Sequence, residues 1–307
     1  MKKDFPHIGI ARICGWFGIT RQAYYQNNWE GISTVIQEEL VLKKVHEIRQ
    51  EHPRMGARKL HGEMQLFLEE HDVKMGRDIL FDLLSANHLL VKKRKRSVHT
   101  TNSFHYYRKY PNLIRDFVPT GINQLWVSDI TYWKVGNTHI YISFITDVYS
   151  HKIVGYQLAE TLEAIESVRA LKMALSVFKR TESNFQLIHH SDRGIQYCCK
   201  QYVKLLQDYN IEISMTENGD PRENAIAERV NGIIKDEYLY NYDVTTFKEA
   251  QELLESVVSL YNNERPHMSI GNLKPNQVHN SIEPIKTKKL WKNYYEKNCN
   301  IVNQYQD

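Results

Sequence analysis

The amino-acid sequence predicts a mixed α/β layer fold that follows a small all-α region. Between residues 120 and 283, three strand patterns come first and helix and strand patterns then alternate, in the order βββαβαβα. Before residue 98, apolar residues recur only at helical spacing. We therefore expect a helical front region and, behind it, a mixed sheet with flanking helices.

Residues 1–30 show the pattern of a short helix-turn-helix. An apolar helical pattern from His7 onwards is interrupted at Gly18, and Thr20 can cap a second short helix that reaches Tyr25. Helix, glycine turn and helix is the arrangement of that motif.

A helical domain of the helix-turn-helix type is predicted for residues 33–98. Residues 40–48 follow helical spacing, Pro53 breaks the pattern, and the segments GARKLHGEMQLFL and GRDILFDLLSANHLL give two more amphipathic helices. Its candidate contacts to phosphates or bases are Arg54, Arg58, Lys59 and Arg77. Each is also suited to a surface ion pair, which is the commoner role of a helical arginine.

Five consecutive cations follow this domain. Such a run repels itself and is typical of an extended segment that becomes ordered on a polyanion. The five are Lys92, Lys93, Arg94, Lys95 and Arg96. Residues 99–119 continue as a linker, and we predict that the run contacts nucleic acid.

Charge is divided unevenly along the chain. Residues 1–119 hold 20 Lys and Arg against 13 Asp and Glu, a net +7, whereas residues 120–307 hold 20 against 23, a net −3, which together give the overall +4. A basic front suggests nucleic-acid binding, and the alternative is an ordinary solvated basic surface.

The core segment predicts each element of the sheet in turn. Three strands joined by short turns should be antiparallel. They are followed by a helix, a strand, a helix, a strand and a helix that starts near Asn224 and carries Glu228. The predicted ranges are 124–135, 138–148, 152–159, 161–179, 185–189, 200–209 and 211–215, with a later helix at 246–263 and a polar tail at 284–307.

Three acidic residues of the core suggest a metal-dependent phosphoryl-transfer site. Asp129 lies inside a strand pattern, Asp192 follows the run FQLIHH, and Glu228 lies on a helix, with 62 residues (192 − 129 − 1) and 35 residues (228 − 192 − 1) between them. Mg²⁺ and Mn²⁺ prefer oxygen ligands and leave positions for a substrate phosphate. Each acid alone is more often solvated or a cap, so it is their combination that favours the site.

Other polar residues near these acids have candidate roles. Lys235, seven positions after Glu228, should lie two turns further on the same helix face and contact a DNA phosphate. Asp147 ends the second strand, where organising the turn is preferred over serving as a fourth acid. Candidates for supporting the acids or facing DNA, with local hydrogen bonding as the alternative, are His190, Arg193, Gln196 and Asn224.

Four segments together resemble the catalytic core of bacterial insertion-sequence transposases. They are WVSDITYW, HHSDRGIQY, NAIAERVNGIIKDE and YNNERPHMSIGNLKPNQ, and the resemblance runs from Gln124 to Val278, more weakly over the N-terminal third. Within these transposases, the sequence is most similar to the second-frame product of the IS-three family. These transposases are in turn related to retroviral integrases. The sequence departs at Glu223-Asn224, where many relatives have Asp-Asn, and at residues 229–232, where relatives have aromatic residues.

The resemblance implies an RNase H-like five-stranded mixed sheet at residues 120–283, with Asp129, Asp192 and Glu228 as a metal-binding catalytic triad. It further implies two Mg²⁺ or Mn²⁺ ions, 3′-end nicking and strand transfer on double-stranded DNA, a homo-oligomer on that DNA and an upstream orf A product as partner. Two alternatives are an inert DNA-binding protein, which the intact acids disfavour, and an RNase H-type nuclease, which the basic front disfavours.

Composition excludes several classes of protein. The chain of 307 residues is 42% hydrophobic and 25% charged, as ordinary globular proteins are, and no apolar run approaches the roughly 20 residues of a membrane span. Four cysteines without a Cys-x-x-Cys pair fit a reducing compartment. We expect a bacterial cytoplasmic, nucleoid-associated protein with no membrane partner.

Overall fold

The structure, a computed structural model, describes residues 8–92, 106–178, 186–217 and 221–281. They form two compact units: one contains the residues up to Lys92 except His52–Arg54, and the other contains His52–Arg54 and the later residues. No helix in these ranges has the length and apolar character needed to cross a bilayer. Residues 93–96 of the basic run and the predicted tail lie outside the described residues.

The first unit is helical, as predicted, but its helices are divided differently. They are α1 Ile10–Trp16, α2 Arg21–Glu51, α3 Ala57–Glu63, α4 Gln65–Glu70 and α5 Arg77–Ala86. Gly18, with φ +66°, follows α1, and the Thr20 hydroxyl accepts a hydrogen bond from the Ala23 N–H at 3.0 Å, so the predicted cap is confirmed.

The predicted boundary between residues 1–30 and 33–98 is wrong, because it falls inside α2, one continuous helix of 31 residues. No proline interrupts this stretch, and a single interior glycine such as Gly31 costs only about 1 kcal/mol relative to alanine. The segment predicted as one helix after Pro53 is in turn divided at Met64, between α3 and α4. Buried side chains of α2, α3 and α5, together with Met64, form one core, among them Val41, Val45, Leu60, Leu80 and Leu84.

The second unit confirms the predicted order of strands and helices. Its elements are β1 Leu125–Val135, β2 Thr138–Asp147, β3 Ile153–Ala159, α6 Ala164–Val177, β4 Ile188–Ser191, α7 Ile195–Cys198, α8 Lys200–Asp208, β5 Glu212–Met215, α9 Ala225–Ile233, α10 Phe247–Asn263 and α11 Pro275–His279. The short helix α7 lies where the sequence predicted only a loop. The β1–β2 hairpin turns at Gly136, whose φ of +55° suits glycine.

The five strands form one mixed sheet in the order β3-β2-β1-β4-β5. The pairs β1–β2 and β2–β3 are antiparallel, whereas β1–β4 and β4–β5 are parallel. This is the RNase H-like arrangement that the resemblance implied. The central position of β1 places Asp129 in the middle of the sheet.

Helices cover both faces of the sheet. On one face, α6 and α8 pack on Trp126 and Ile145, and a Cβ at Gly155 would collide with the Ala170 carbonyl, so glycine lets α6 approach β3 closely. On the other face, α9 and α10 pack on Trp133 and Ile142. Because α9 lies across β1 on this face of the sheet, it can bring Glu228 towards Asp129.

Candidate active site

Parallel pairing of the adjacent strands β1 and β4 brings Asp129 and Asp192 near each other, at the carboxyl end of β4. Val127 pairs with His190, an offset of 63 residues (190 − 127), and the same offset joins Asp129 to Asp192 (192 − 129). Asp192 directly follows Ser191, the last residue of β4. Since paired strands lie about 4.8 Å apart, the two chain segments are neighbours where each leads into its acid.

Local hydrogen bonds hold both carboxylates. Asp192 Oδ1 accepts from the Gly194 N–H at 2.9 Å, at the start of α7. Asp129 Oδ1 accepts from the Ile130 N–H at 2.9 Å, and its Oδ2 accepts from the Asn231 side-chain amide at 2.8 Å. The two carboxylates are therefore oriented by backbone and amide donors.

Glu228 approaches from α9. The Asn224 amide donates to the Ser128 carbonyl at 2.9 Å and the Asn231 amide donates to Asp129, so both ends of the first two turns are attached to β1. Glu228 lies between these two asparagines and is exposed. The helix thus presents its carboxylate on the side of β1 where Asp129 lies.

Burial and repulsion among these acids raise the pKa of Asp129 to about 8. Loss of hydration is the largest cause, and the neighbouring charges of Asp192 and then Glu228 add to it, while the hydrogen bonds from Ile130 and Asn231 oppose it. The three carboxylates are therefore close enough to repel one another. A divalent cation would relieve that repulsion, and an all-carboxylate donor set is the type that Mg²⁺ and Mn²⁺ prefer.

The three carboxylates do not converge on one point. Of the described residues, these three acids do not form a group whose ligand atoms all lie within 4.8 Å of one another. Glu228 is the exposed one of the three, whereas Asp129 and Asp192 are half-buried.

The raised pKa of Asp129 predicts a pH-dependent stability of the metal-free protein. The folded pKa, about 8, exceeds the ordinary 3.8, so ionisation destabilises the fold progressively as pH rises between these values, and the penalty is absent below them. Asp129→Asn should therefore be more stable than wild type at pH 8, by up to about 5 kcal/mol, and nearly equal to it near pH 4. Urea unfolding in chelator measures this, with the exposed Asp116→Asn as control; parallel pH profiles for wild type and Asp129→Asn would refute the burial argument.

Comparison with known proteins gives the family. Two family profiles, both described as Integrase core domain, match residues 119–221 and 209–275. The Insertion element IS600 uncharacterized 31 kDa protein of Shigella sonnei is 33% identical over 269 residues, which cover 86% of this chain and 96% of that protein. The chain belongs to the insertion-sequence transposases of the integrase superfamily.

A second relative and a solved structure are also similar to this chain. The Transposase for insertion sequence element IS629 of Shigella sonnei is 28% identical over 274 residues, 87% of this chain and 90% of that one. The magnesium complex of the HTLV-2 integrase catalytic core domain has a TM-score of 0.41 and 18% identity, over 52% of this chain and 97% of that one. The resemblance read from the four sequence segments is confirmed: this transposase is a polynucleotidyl transferase of the DDE class, which acts on DNA.

Asp147 organises the turn after β2, which is the role that the sequence analysis favoured for it. It is fully buried; its Oδ1 accepts from the Ser150 N–H at 2.8 Å and the Ser150 hydroxyl at 2.6 Å, and its Oδ2 accepts from the Asn123 N–H at 2.7 Å. It pairs with Trp126, three residues before Asp129, which is about 10 Å along the strand. The alternative of a fourth acid at the site is therefore wrong.

Three of the four candidate supporting residues, His190, Gln196 and Asn224, form hydrogen bonds within the fold. His190 is fully buried, with Nδ1 2.8 Å from the Ser214 hydroxyl of β5, and Gln196 donates to the Leu162 carbonyl at 3.0 Å. Burial excludes direct DNA contact by either. Asn224 attaches α9 to Ser128, beside Asp129, and Arg193 is half-buried next to Asp192.

Lys235 does not continue the α-helix of Glu228. It lies in a π-helical turn, Ile234–Tyr238, so the predicted face, which assumed uninterrupted α-helical spacing, has to be corrected. Its Nζ lies 4.8 Å from the centre of the Tyr132 ring on β1. The lysine therefore still lies over the strand that carries Asp129.

The candidate DNA contacts of the helical unit differ in exposure. Arg58, Arg77 and Lys92 are exposed, whereas Arg54 and Lys59 are half-buried. Arg77 forms an ion pair with Asp78 at 2.9 Å. A surface ion pair is the role that the sequence analysis gave as the alternative to DNA contact. Their role in binding DNA stays a prediction, and Lys93, Arg94, Lys95 and Arg96 lie outside the described residues.

Sequence reasoning missed Asn231, which donates directly to Asp129. A signal was present, because Asn224, Glu228 and Asn231 follow the i, i+4, i+7 spacing of one helix face, where polar residues replace the usual apolar ones.

Proposed function

We propose that Asp129, Asp192 and Glu228 hold two Mg²⁺ or Mn²⁺ ions, with which the transposase nicks the 3′ ends of an insertion sequence and transfers them to a target duplex. The observation that carries this proposal is the parallel pairing of β1 and β4, whose last paired residues, Val127 and His190, each lie two positions before an acid, Asp129 or Asp192. The raised pKa of Asp129 supports it, since both other acids contribute to the shift.

When bound, such ions assist the attacking and leaving oxygens of an in-line displacement at phosphorus. In the nick, a water oxygen forms the new bond to phosphorus as the bond to the 3′ oxygen breaks. In transfer, the freed 3′-hydroxyl oxygen forms a bond to a phosphorus of the target strand as the bond from that phosphorus to the target's own 3′ oxygen breaks. The target's 3′ oxygen leaves as a hydroxyl, and the proton lost by the attacking hydroxyl passes to solvent.

The protein's contribution is to hold the acids in place. The Gly194 N–H fixes Asp192, and the Ile130 N–H and the Asn231 amide fix both oxygens of Asp129. Exposed Glu228 completes the set from α9. Preorganised carboxylates avoid reorganisation during the reaction, which is the main source of catalytic power in such sites.

Lys235 is proposed to contact a phosphate of the bound DNA. Lys235→Ala should weaken duplex binding several-fold and lower the salt dependence of binding by about 0.9 in log-log slope, because one phosphate contact is lost. Metal affinity should stay within about twofold, because the lysine donates no ligand. Fluorescence anisotropy across a salt series measures this, with Lys248→Ala, an exposed lysine on α10, as control. Loss of metal affinity with unchanged DNA affinity would overturn the assignment.

We further propose that exposed cations of the helical unit, Arg58 and Lys92 first, hold double-stranded DNA, and that the transposase works as a homo-oligomer on it, with an orf A product as an additional partner.

A pair of assays on the wild-type protein tests the proposed chemistry. The first follows nicking and joining of labelled duplexes that carry the element ends; the second follows cleavage of an RNA–DNA hybrid, both with Mg²⁺, Mn²⁺ or chelator. We expect metal-dependent joining and no hybrid cleavage. Hybrid cleavage without joining would replace strand transfer by a nuclease function.

A further inference from the structure

Two asparagine side chains attach the helix of Glu228 to the strand of Asp129. Asn224 donates to the Ser128 carbonyl at 2.9 Å and Asn231 donates to Asp129 Oδ2 at 2.8 Å. They are only 7% and 5% exposed. Helix α9 is thus joined to two consecutive residues of β1 on both sides of Glu228.

These contacts fix the helix in two respects. A single hydrogen bond would leave α9 able to rotate about its axis, whereas two bonds seven residues apart, about 10 Å along the helix, restrain both rotation and sliding. Because Glu228 lies four residues after Asn224 and three before Asn231, its position relative to Asp129 is set by both.

Asn231 also orients the Asp129 carboxylate itself. The Ile130 N–H occupies one oxygen and the Asn231 amide the other, so the plane of the carboxylate is restrained. Each oxygen keeps a further lone pair that can point to a cation. A neutral amide is suited to this task, since it donates without adding charge to the three acids.

The side-chain oxygen of Asn231 has no hydrogen-bond donor among the described residues. Its Oδ1 atom is buried and accepts no hydrogen bond from any of the described residues, and the same holds for Asn224 Oδ1. Burying a carbonyl oxygen without a donor costs about 1 to 3 kcal/mol. An ordered water beside Asp129 would satisfy it, which is expected if this pocket is hydrated when the site is in use.

We infer that Asn231 is a positioning residue, which orients Asp129 and, together with Asn224, sets the place of Glu228 in the metal site. The inference rests on the proposed metal-binding role of the three acids. It predicts a defect in metal affinity, in addition to any change in stability.

Binding of Mn²⁺ to the full chain tests this inference, with free Mn²⁺ followed by electron paramagnetic resonance. Asn231→Leu keeps the side-chain size and removes the donor; Asn231→Ser is the smaller alternative if the leucine variant does not fold. Val230→Ala, a buried neighbour on α9 that packs in the core, is the matched control for stability. Asp129→Asn tests the site itself.

We expect the Asn231 variants to bind Mn²⁺ about 10- to 100-fold more weakly, the usual effect of losing a group that orients a metal ligand, and Val230→Ala to stay within about twofold of wild type. Strand joining by the Asn231 variants should recover in part at high Mn²⁺. If the Asn231 variants bind Mn²⁺ as wild type while Asp129→Asn loses binding, the positioning role is wrong and the triad stands. If Asp129→Asn binds Mn²⁺ as wild type, the proposed metal site fails instead.

Discussion

Asp192→Asn should abolish nicking and strand transfer while DNA binding is retained. The substitution keeps the shape of the side chain but removes a negative ligand, and several kcal/mol of transition-state stabilisation correspond to a loss of about 10³-fold or more in rate. Asn can still accept the hydrogen bond from the Gly194 N–H through its carbonyl oxygen, so the turn before α7 should persist. Nicking of a labelled duplex and a gel-shift in chelator measure the two properties separately.

The matched control is Asp208→Asn, an exposed aspartate at the end of α8. It changes the net charge of the protein by the same amount and should leave both rate and binding unchanged. Joint loss of activity and DNA binding in Asp192→Asn, with a folded protein, would mean that Asp192 serves DNA binding or folding and not the chemistry.

Glu237→Gln should destabilise the second unit more than Arg265→Met does. Arg265 is almost fully buried, and its guanidinium donates to both oxygens of Glu237 at 2.7 Å, whereas Glu237 is partly exposed. Removing the glutamate charge leaves a buried cation unpaired, which costs about 3 kcal/mol. Removing the arginine leaves a carboxylate that water can reach, so we expect about 1 kcal/mol.

Urea unfolding of both single variants and the double variant measures this asymmetry. The double variant should resemble Arg265→Met, because the unpaired cation is then gone. Equal effects of the two single changes would show that the arginine is solvated in the folded state, against its burial. The pair joins the π-helical turn after α9 to the segment after α10, so its loss should also loosen the support of the Glu228 helix.

The strands around Asp129 were predictable because their signals are local. Alternation of apolar residues and the turn at Gly136 and Asn137 gave β1 and β2 to within a residue. The identity of the three acids needed only their residue types, spacing and flanking segments. What the sequence could not supply is the register between β1 and β4, since it depends on pairing between segments about sixty residues apart.

The errors share a physical cause, which is that local patterns do not report tertiary context. The predicted boundary near residue 30 separated two helical patterns, whereas α2 runs through it as one helix. Lys235 was placed by α-helical spacing, and the π-helical turn at Ile234–Tyr238 changes that spacing. Asn231 was overlooked because its partner, Asp129, lies 102 residues away in the sequence.

A crystal of the transposase grown or soaked with Mn²⁺ tests the central claim most directly, because anomalous scattering locates the ion without any assay. We predict Mn²⁺ with ligands from Asp129, Asp192 and Glu228, after rotation of the Glu228 side chain. Mn²⁺ bound elsewhere, with these carboxylates making no contact to it at saturating concentration, would contradict the assignment of the three acids.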